Sequence, residues 1–175
     1  MLVPDTKNWT WVLDRACPEC GFDASTCPAE SVADLIRTNA AAWQRLLSDG
    51  AVRQGRRDAS TWSSLEYACH VRDVYRRYDD RIARMLAEDD PLFSNWDQDA
   101  SAVEERYEQQ DPGVVIADLG QYADQLAGRL DGLTETEWRR AGRRSDGAGF
   151  TVATISRYMV HDTIHHVWDV TPIRQ

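Results

Sequence analysis

No run of apolar residues in this chain approaches the ~18 that a membrane-spanning helix needs, so no spanning segment is expected. The opening residues 1–11 lack a basic stretch followed by an apolar core, so they do not read as a secretion signal, and the expected compartment is the cytoplasm. Positive charge is in deficit: 20 Lys and Arg stand against 29 Asp and Glu, a formal charge of −9. Nucleic acid and anionic membrane are bound by neutralising phosphates with Lys and Arg, so neither is an expected partner. Two short basic spots, 53–57 and 139–144, are surrounded by acidic segments and suit at most a local anion site for a small substrate. Alternating apolar and polar runs are missing, which argues against a sheet-based fold, and no internal repeat is present. There is no glycine-rich phosphate loop and no G-x-S-x-G nucleophile motif. Cysteine is sparse: the four present (Cys17, Cys20, Cys27, Cys69) are not expected to form disulfides in a chain without an export signal. Three of them crowd the N-terminus, where metal binding or redox chemistry must be considered.

What is present is helical. At 175 residues the chain suits one domain with a real core. Residues 1–30, rich in Pro, Cys, Trp and Gly, read as an irregular N-terminal arm, and 31–175 as the helical domain. A first helix is expected over 31–48, where Val32, Leu35, Ile36, Trp43, Leu46 and Leu47 recur near the helical period and Asp49-Gly50 ends it. A polar loop over 53–60 follows. Ser63-Ser64-Leu65-Glu66 is a capping-box pattern opening a long helix to about 87, stopped by Asp90-Pro91. Residues 92–110 read as an extended link with one helical turn around 104–107. Asp111-Pro112 starts a third helix, with Val115, Leu119, Tyr122, Leu126 and Leu130 on its buried stripe. A short turn at 135–140 and a mobile glycine- and arginine-rich loop over 142–149 lead to a last helix, capped by Thr151 and reaching about 170. Four long helices with loops between them make an all-α four-helix bundle.

All four histidines fall in two of these helices: His70 in the second, and His161, His165 and His166 in the last. His161 and His165 are four apart and project from one face about one turn apart, the spacing by which helical His pairs chelate a metal. With His70 facing them they make three nitrogen ligands and leave a position open, the catalytic rather than the structural pattern for zinc. Imidazole equally suits Ni, Cu or Fe. Carboxylates stand where outer hydrogen-bond partners belong: Glu66 and Asp73 about His70, Asp169 four after His165, Asp162 four before His166. Glu66 and Asp169 are the first choices for that role, and Asp162 or Glu66 for a general base. His166, out of line with the pair, reads as a neighbour or a substrate contact, as do Arg143 and Arg144. Trp62 and Trp168 could wall the pocket, although tryptophans at such spacings are more often core.

These residues resemble the DinB-like family (DinB/YfiT), whose members include YfiT-type metal-dependent hydrolases and the metal-binding domain of mycothiol-dependent maleylpyruvate isomerase. The resemblance runs from about Ala29 onward. It is carried by the segment from Trp62 through Glu66, His70 and Asp73, the segment from Arg143 to Thr151, and above all the segment from Tyr158 through His161 and His165 to His166. It implies an up-down-down-up four-helix bundle with a divalent metal, zinc first and nickel second, on His70, His161 and His165. It also implies a low-molecular-weight thiol such as mycothiol as cosubstrate, because a metal-bound thiol loses its proton and becomes a nucleophile. The first 30 residues depart from the family pattern, and the isomerase's C-terminal domain has no counterpart.

Cys17-Pro-Glu-Cys20-Gly21-Phe22 reads like one knuckle of a zinc ribbon. It could hold a second, structural metal with Cys27 and one further ligand, put a thiolate near the histidines, or cycle with a disulfide; a reduced pair without metal stands beside these. Trp9, Trp11 and Phe22 would anchor the arm by burial. Cys69 reads as a buried apolar residue. The leading functional expectation is a metal-dependent thiol S-transferase acting on a small electrophile. A metal-dependent hydrolase and a non-catalytic metal- or ligand-binding stress protein stand as alternatives. A small-molecule substrate is the expected partner, and a homodimer stays open.

Overall fold

The computed structural model describes residues 9–48, 56 and 61–171. In chain order these form α1 (Val32–Ser48), α2 (Ser64–Ala87), β1 (Leu92–Phe93), α3 (Gln98–Glu104), α4 (Pro112–Leu130), α5 (Glu135–Trp138), β2 (Ala141–Arg144), β3 (Gly149–Thr151) and α6 (Val152–Val170). Three short 3-10 turns, Trp9–Leu13, Ala29–Ser31 and Tyr107–Gln109, complete the described elements. The helix starts follow from local chemistry. Ser63 Oγ accepts from the Glu66 amide while the Glu66 carboxylate accepts from the Ser63 amide, satisfying two donors that the first turn would otherwise leave open. Asp111 caps α4 with Pro112 at its first position, and Thr151 caps α6 through the Thr154 amide. The expected stop of α1 at Asp49-Gly50, the basic spot at 53–57 and the loop at 53–60 lie outside the described residues, apart from Arg56.

The four long helices form a bundle. α4 packs against both α1 and α2 on one side, and α6 against the same two on the other. Their apolar stripes meet in one core that contains Trp43, Ile36, Leu65, Ile82, Leu119 and Ile155, each under 2% exposed or nearly so. Removing such surface from water is the main force holding the helices together. Two buried polar links set how they sit. Tyr75 Oη donates to Asn39 Oδ1 (2.7 Å), and Asn39 Nδ2 donates to the Thr163 carbonyl (2.8 Å), joining α2, α1 and α6. Arg129 holds the Asp79 carboxylate with two nitrogens (2.6 and 2.9 Å), joining α4 to α2.

Two expectations are corrected. The link over 92–110 contains β1, α3 and a 3-10 turn, in place of one helical turn near 104–107. The loop expected over 142–149 is an antiparallel hairpin of β2 and β3, with β1 added in parallel beside β2. Gly147, at φ +96°, permits the turn, and Phe93 and Phe150 bury one side of the small sheet against the bundle. Strands this short, carrying glycines, show no alternation for a sequence to reveal. No helix among the described residues is long and apolar enough to cross a membrane.

Candidate metal centres

The chemistry of this chain gathers on α6. An α-helix advances about 100° per residue, so the pairs His161/His165 and Asp162/His166, each spaced by four, lie on adjacent stripes and face different neighbours. The Asp162/His166 stripe meets α2; the His161/His165 stripe meets the N-terminal arm.

On the first stripe, His70, Asp162 and His166 each offer one ligand atom, all within 4.8 Å of one another. His70 Nε2 lies 3.2 Å from Asp162 Oδ2, and His166 Nε2 lies 3.5 Å from Asp162 Oδ1. His166 Nδ1 is 2.9 Å from Asp169 Oδ2, which leaves its Nε2 turned toward the cluster. Two ring nitrogens here, His70 Nδ1 and His166 Nε2, are buried without a hydrogen-bond partner among the described residues. Aromatic rings hold the imidazoles in place: Trp96 stacks on His70 at 5.1 Å, Trp62 lies 5.3 Å from it, and Tyr67 lies 4.9 Å from His166.

Burial pushes the His70 pKa down despite its contact with Asp162, so this ring is neutral and able to coordinate. Burial also opposes charge on His166, but Asp162 and then Asp169 outweigh it and raise its pKa to about 9. Asp162 is held well below the usual carboxylate range: burial alone would raise it, and His166 and His70 overcome that. Two imidazoles and a carboxylate with room for further ligands suit a divalent cation such as zinc, whose catalytic sites use three protein ligands and keep a fourth position open. A pocket opens at this cluster, lined by His70, Asp162, Tyr158, Arg144, Arg81 and Trp96 among others. Arg144 Nη1 reaches the Tyr158 hydroxyl at 3.4 Å, and Asp146 braces the guanidinium from behind.

On the second stripe, His161 and His165 stand with Cys17 and Cys20 of the arm, again with ligand atoms within 4.8 Å of one another. The three histidines expected around one ion are thus divided between two clusters: the structure brings His161 and His165 together but sets His70 with Asp162 and His166. Asp169 serves as an outer partner to both, with Oδ2 toward His166 and Oδ1 3.7 Å from His165 Nε2. Glu66 is engaged elsewhere, in the α2 cap and in an ion pair with Arg56, with Nε at 3.0–3.1 Å. Asp73 bonds the Tyr107 hydroxyl and Arg72. Cys27 Sγ turns to the Pro28 carbonyl and Ser31 Oγ, both at 3.5 Å, and stands apart from Cys17 and Cys20. Cys69 is fully buried in α2. Arg143 points away from the pocket to Asp90, at 2.8 Å. Trp62 is buried beside His70, and Trp168 is 40% exposed. Sequence reasoning missed the place of two residues in the His70 cluster: Asp162, expected as a base or outer partner, and His166, expected as a neighbour or substrate contact. The signal was there, since Asp162 and His166 repeat the i, i+4 spacing one residue along from His161 and His165.

A family model for the DinB superfamily matches residues 29–170. The solved structure of YfiT from Bacillus subtilis, described as "a probable metal-dependent hydrolase with an unusual four-helix bundle topology", superposes with a TM-score of 0.71 at 17% identity, covering 81% of this chain and 85% of that one. A search of the curated proteins finds none that matches.

Proposed function

The chain belongs to the DinB superfamily, and from that premise we propose that it is a metal-dependent hydrolase of small anionic molecules, working at His70, Asp162 and His166. The observation that carries this reading is a cluster of three ligand groups, two of which, His70 and Asp162, line a pocket together with Arg144 and Tyr158. YfiT, which has the same fold, is described as "a probable metal-dependent hydrolase". A divalent cation bound there would supply Lewis acidity and a water acidified toward neutral pH.

The chain's own residues do the rest. His70, kept neutral by burial, and His166, oriented by Asp169, would present ring nitrogens to the cation, His166 giving up to solvent the proton that Asp162 and Asp169 hold on it in the metal-free protein. Asp162 would add a negatively charged oxygen that offsets part of the cation's charge. Arg144, held over the Phe150 and Tyr158 rings with its centre 5.7 Å from each, is placed to pair with a substrate carboxylate or phosphate. The Tyr158 hydroxyl beside it can donate to the same group or to a leaving oxygen. Trp96 and Trp62 wall His70 and limit water around it.

The thiol-dependent transferase implied by the resemblance would use the same open position for a sulfur. One set of assays separates the readings. Metal-stripped protein is reloaded with zinc, nickel or manganese and tested against carboxylate- and phosphate-bearing esters and amides, with and without a low-molecular-weight thiol. Hydrolysis that needs metal but no thiol is expected. It should fall more than about 100-fold in His166→Ala, beyond the loss of an outer partner alone, and Arg144→Gln should raise KM more than it lowers kcat. Turnover that ignores metal removal would overturn the reading. Consumption of thiol in step with product would replace it with the transferase.

A further inference from the structure

The geometry points to a second, closed metal site, built by Cys17 and Cys20 of the arm with His161 and His165 of α6, that takes a zinc-class divalent ion and staples the arm to the bundle. The knuckle is already shaped for it. Gly21 sits at φ +75°, where a residue without Cβ is at ease, and the Cys17 amide donates to the Phe22 carbonyl while the Gly21 amide donates to the Cys17 carbonyl, each at 2.9 Å. This folds Cys17-Pro-Glu-Cys20 so that both sulfurs face one way. Trp9 then packs on both histidines, its ring centre 5.9 Å from His161 and 5.4 Å from His165, and Phe22 stacks on His161.

The donor set and spacing fit a tetrahedral ion. With bonds of about 2.3 Å to sulfur and 2.0–2.1 Å to nitrogen, tetrahedral zinc sets its ligand atoms roughly 3.3–3.8 Å apart. Cys17 Sγ and His165 Nδ1 stand at 3.7 Å, and all four ligand atoms lie within 4.8 Å of one another. Small side-chain shifts close the remainder. His161 is 3% exposed, and its Nε2 is buried with no hydrogen-bond partner among the described residues, a costly state for a polar atom unless something else binds there. His165 shows the outer arrangement that metal-bound histidines favour: Nδ1 faces the sulfur, while Nε2 faces Glu19 Oε2 at 3.3 Å and Asp169 Oδ1 at 3.7 Å.

Four protein ligands leave no position for substrate, which is the structural pattern for zinc and unlike the open cluster one stripe away. Binding releases the two thiol protons to solvent and yields two thiolates, so no oxidant or reductant is involved. The ion would do for the arm what a disulfide cannot do in a reducing compartment. It would also fix the rotation of α6, on which the aim of Asp162 and His166 depends.

The test is Co2+ titration of the metal-stripped full-length chain under reducing conditions. Thiolate-to-cobalt charge transfer and the intense d–d bands of a tetrahedral site are expected, and they should be lost in Cys20→Ser and His165→Asn but kept in His70→Ala. A readout on the unaltered chain guards against variants that fail to fold: zinc should shield Cys17 and Cys20 from alkylation, and a chelator should expose both while Cys69 stays unreactive. A folded chain with no charge-transfer band, bands that persist in Cys20→Ser, or sulfurs that alkylate equally with and without zinc would each overturn the proposal. Because His70→Ala removes a ligand of the other cluster only, failure of this site and failure of the hydrolytic site are told apart.

Discussion

His166 carries the clearest pH signature among the described residues. Burial works against its charge, yet Asp162 and Asp169 raise its pKa from 6.5 to about 9. A group whose pKa is higher folded than unfolded stabilises the fold fully below its unfolded value and loses that contribution as pH rises through the folded one. In metal-stripped protein, urea unfolding should therefore show His166→Asn clearly less stable than the unaltered chain below 6.5, with the gap closing above about 9; a gap independent of pH would contradict the ion pairs. Single residues also show what was legible in advance. That the four histidines gather in two helices, that His161 and His165 share a face, and that Asp169 stands one turn beyond His165 can be read from spacing alone. Helix rotation relative to neighbours cannot, because it is set by tertiary packing, here the Asn39–Thr163 and Tyr75–Asn39 bonds. A shift of one residue along α6 turns the ligands by about 100° and exchanges one partner surface for another.

At the scale of elements, helix ends were more legible than the connections. The capping residues Ser63, Asp111 and Thr151 act within three or four residues of themselves, so their sequence patterns are complete in themselves. The β2–β3 hairpin depends on residues far along the chain: a Cβ at Gly142 would lie 2.8 Å from Met85 Cγ and from Phe93 Cε2. The glycine that looks like loop punctuation in the sequence is in fact the space into which α2 and β1 pack. Gly142→Ala should cost about 1–3 kcal/mol from overpacking. Gly149→Ala, in the same hairpin with nothing within 4 Å of its Cβ, should be close to neutral. Equal effects of the two in denaturant titrations would show that the close approach at Gly142 is not what holds the hairpin to the bundle. Arg144 depends on that hold, since the hairpin presents it to the pocket.

For the whole molecule, the bundle serves as a frame that lets one helix address two surroundings. Toward α2, α6 shows His166 and Asp162, which also lines the pocket; toward the arm, it shows His161 and His165; Asp169, in the helix's last turn, reaches His166 of one cluster and His165 of the other. The arm covers one stripe and leaves the other open, so one cluster is closed and the other accessible. The central claim is that the histidines serve two ions and not one. Anomalous diffraction at the metal edge from crystals of the zinc-loaded protein tests it most directly. Two peaks are predicted, one among His70, Asp162 and His166 and one among Cys17, Cys20, His161 and His165; a single peak bonded to His70, His161 and His165 together would contradict the account.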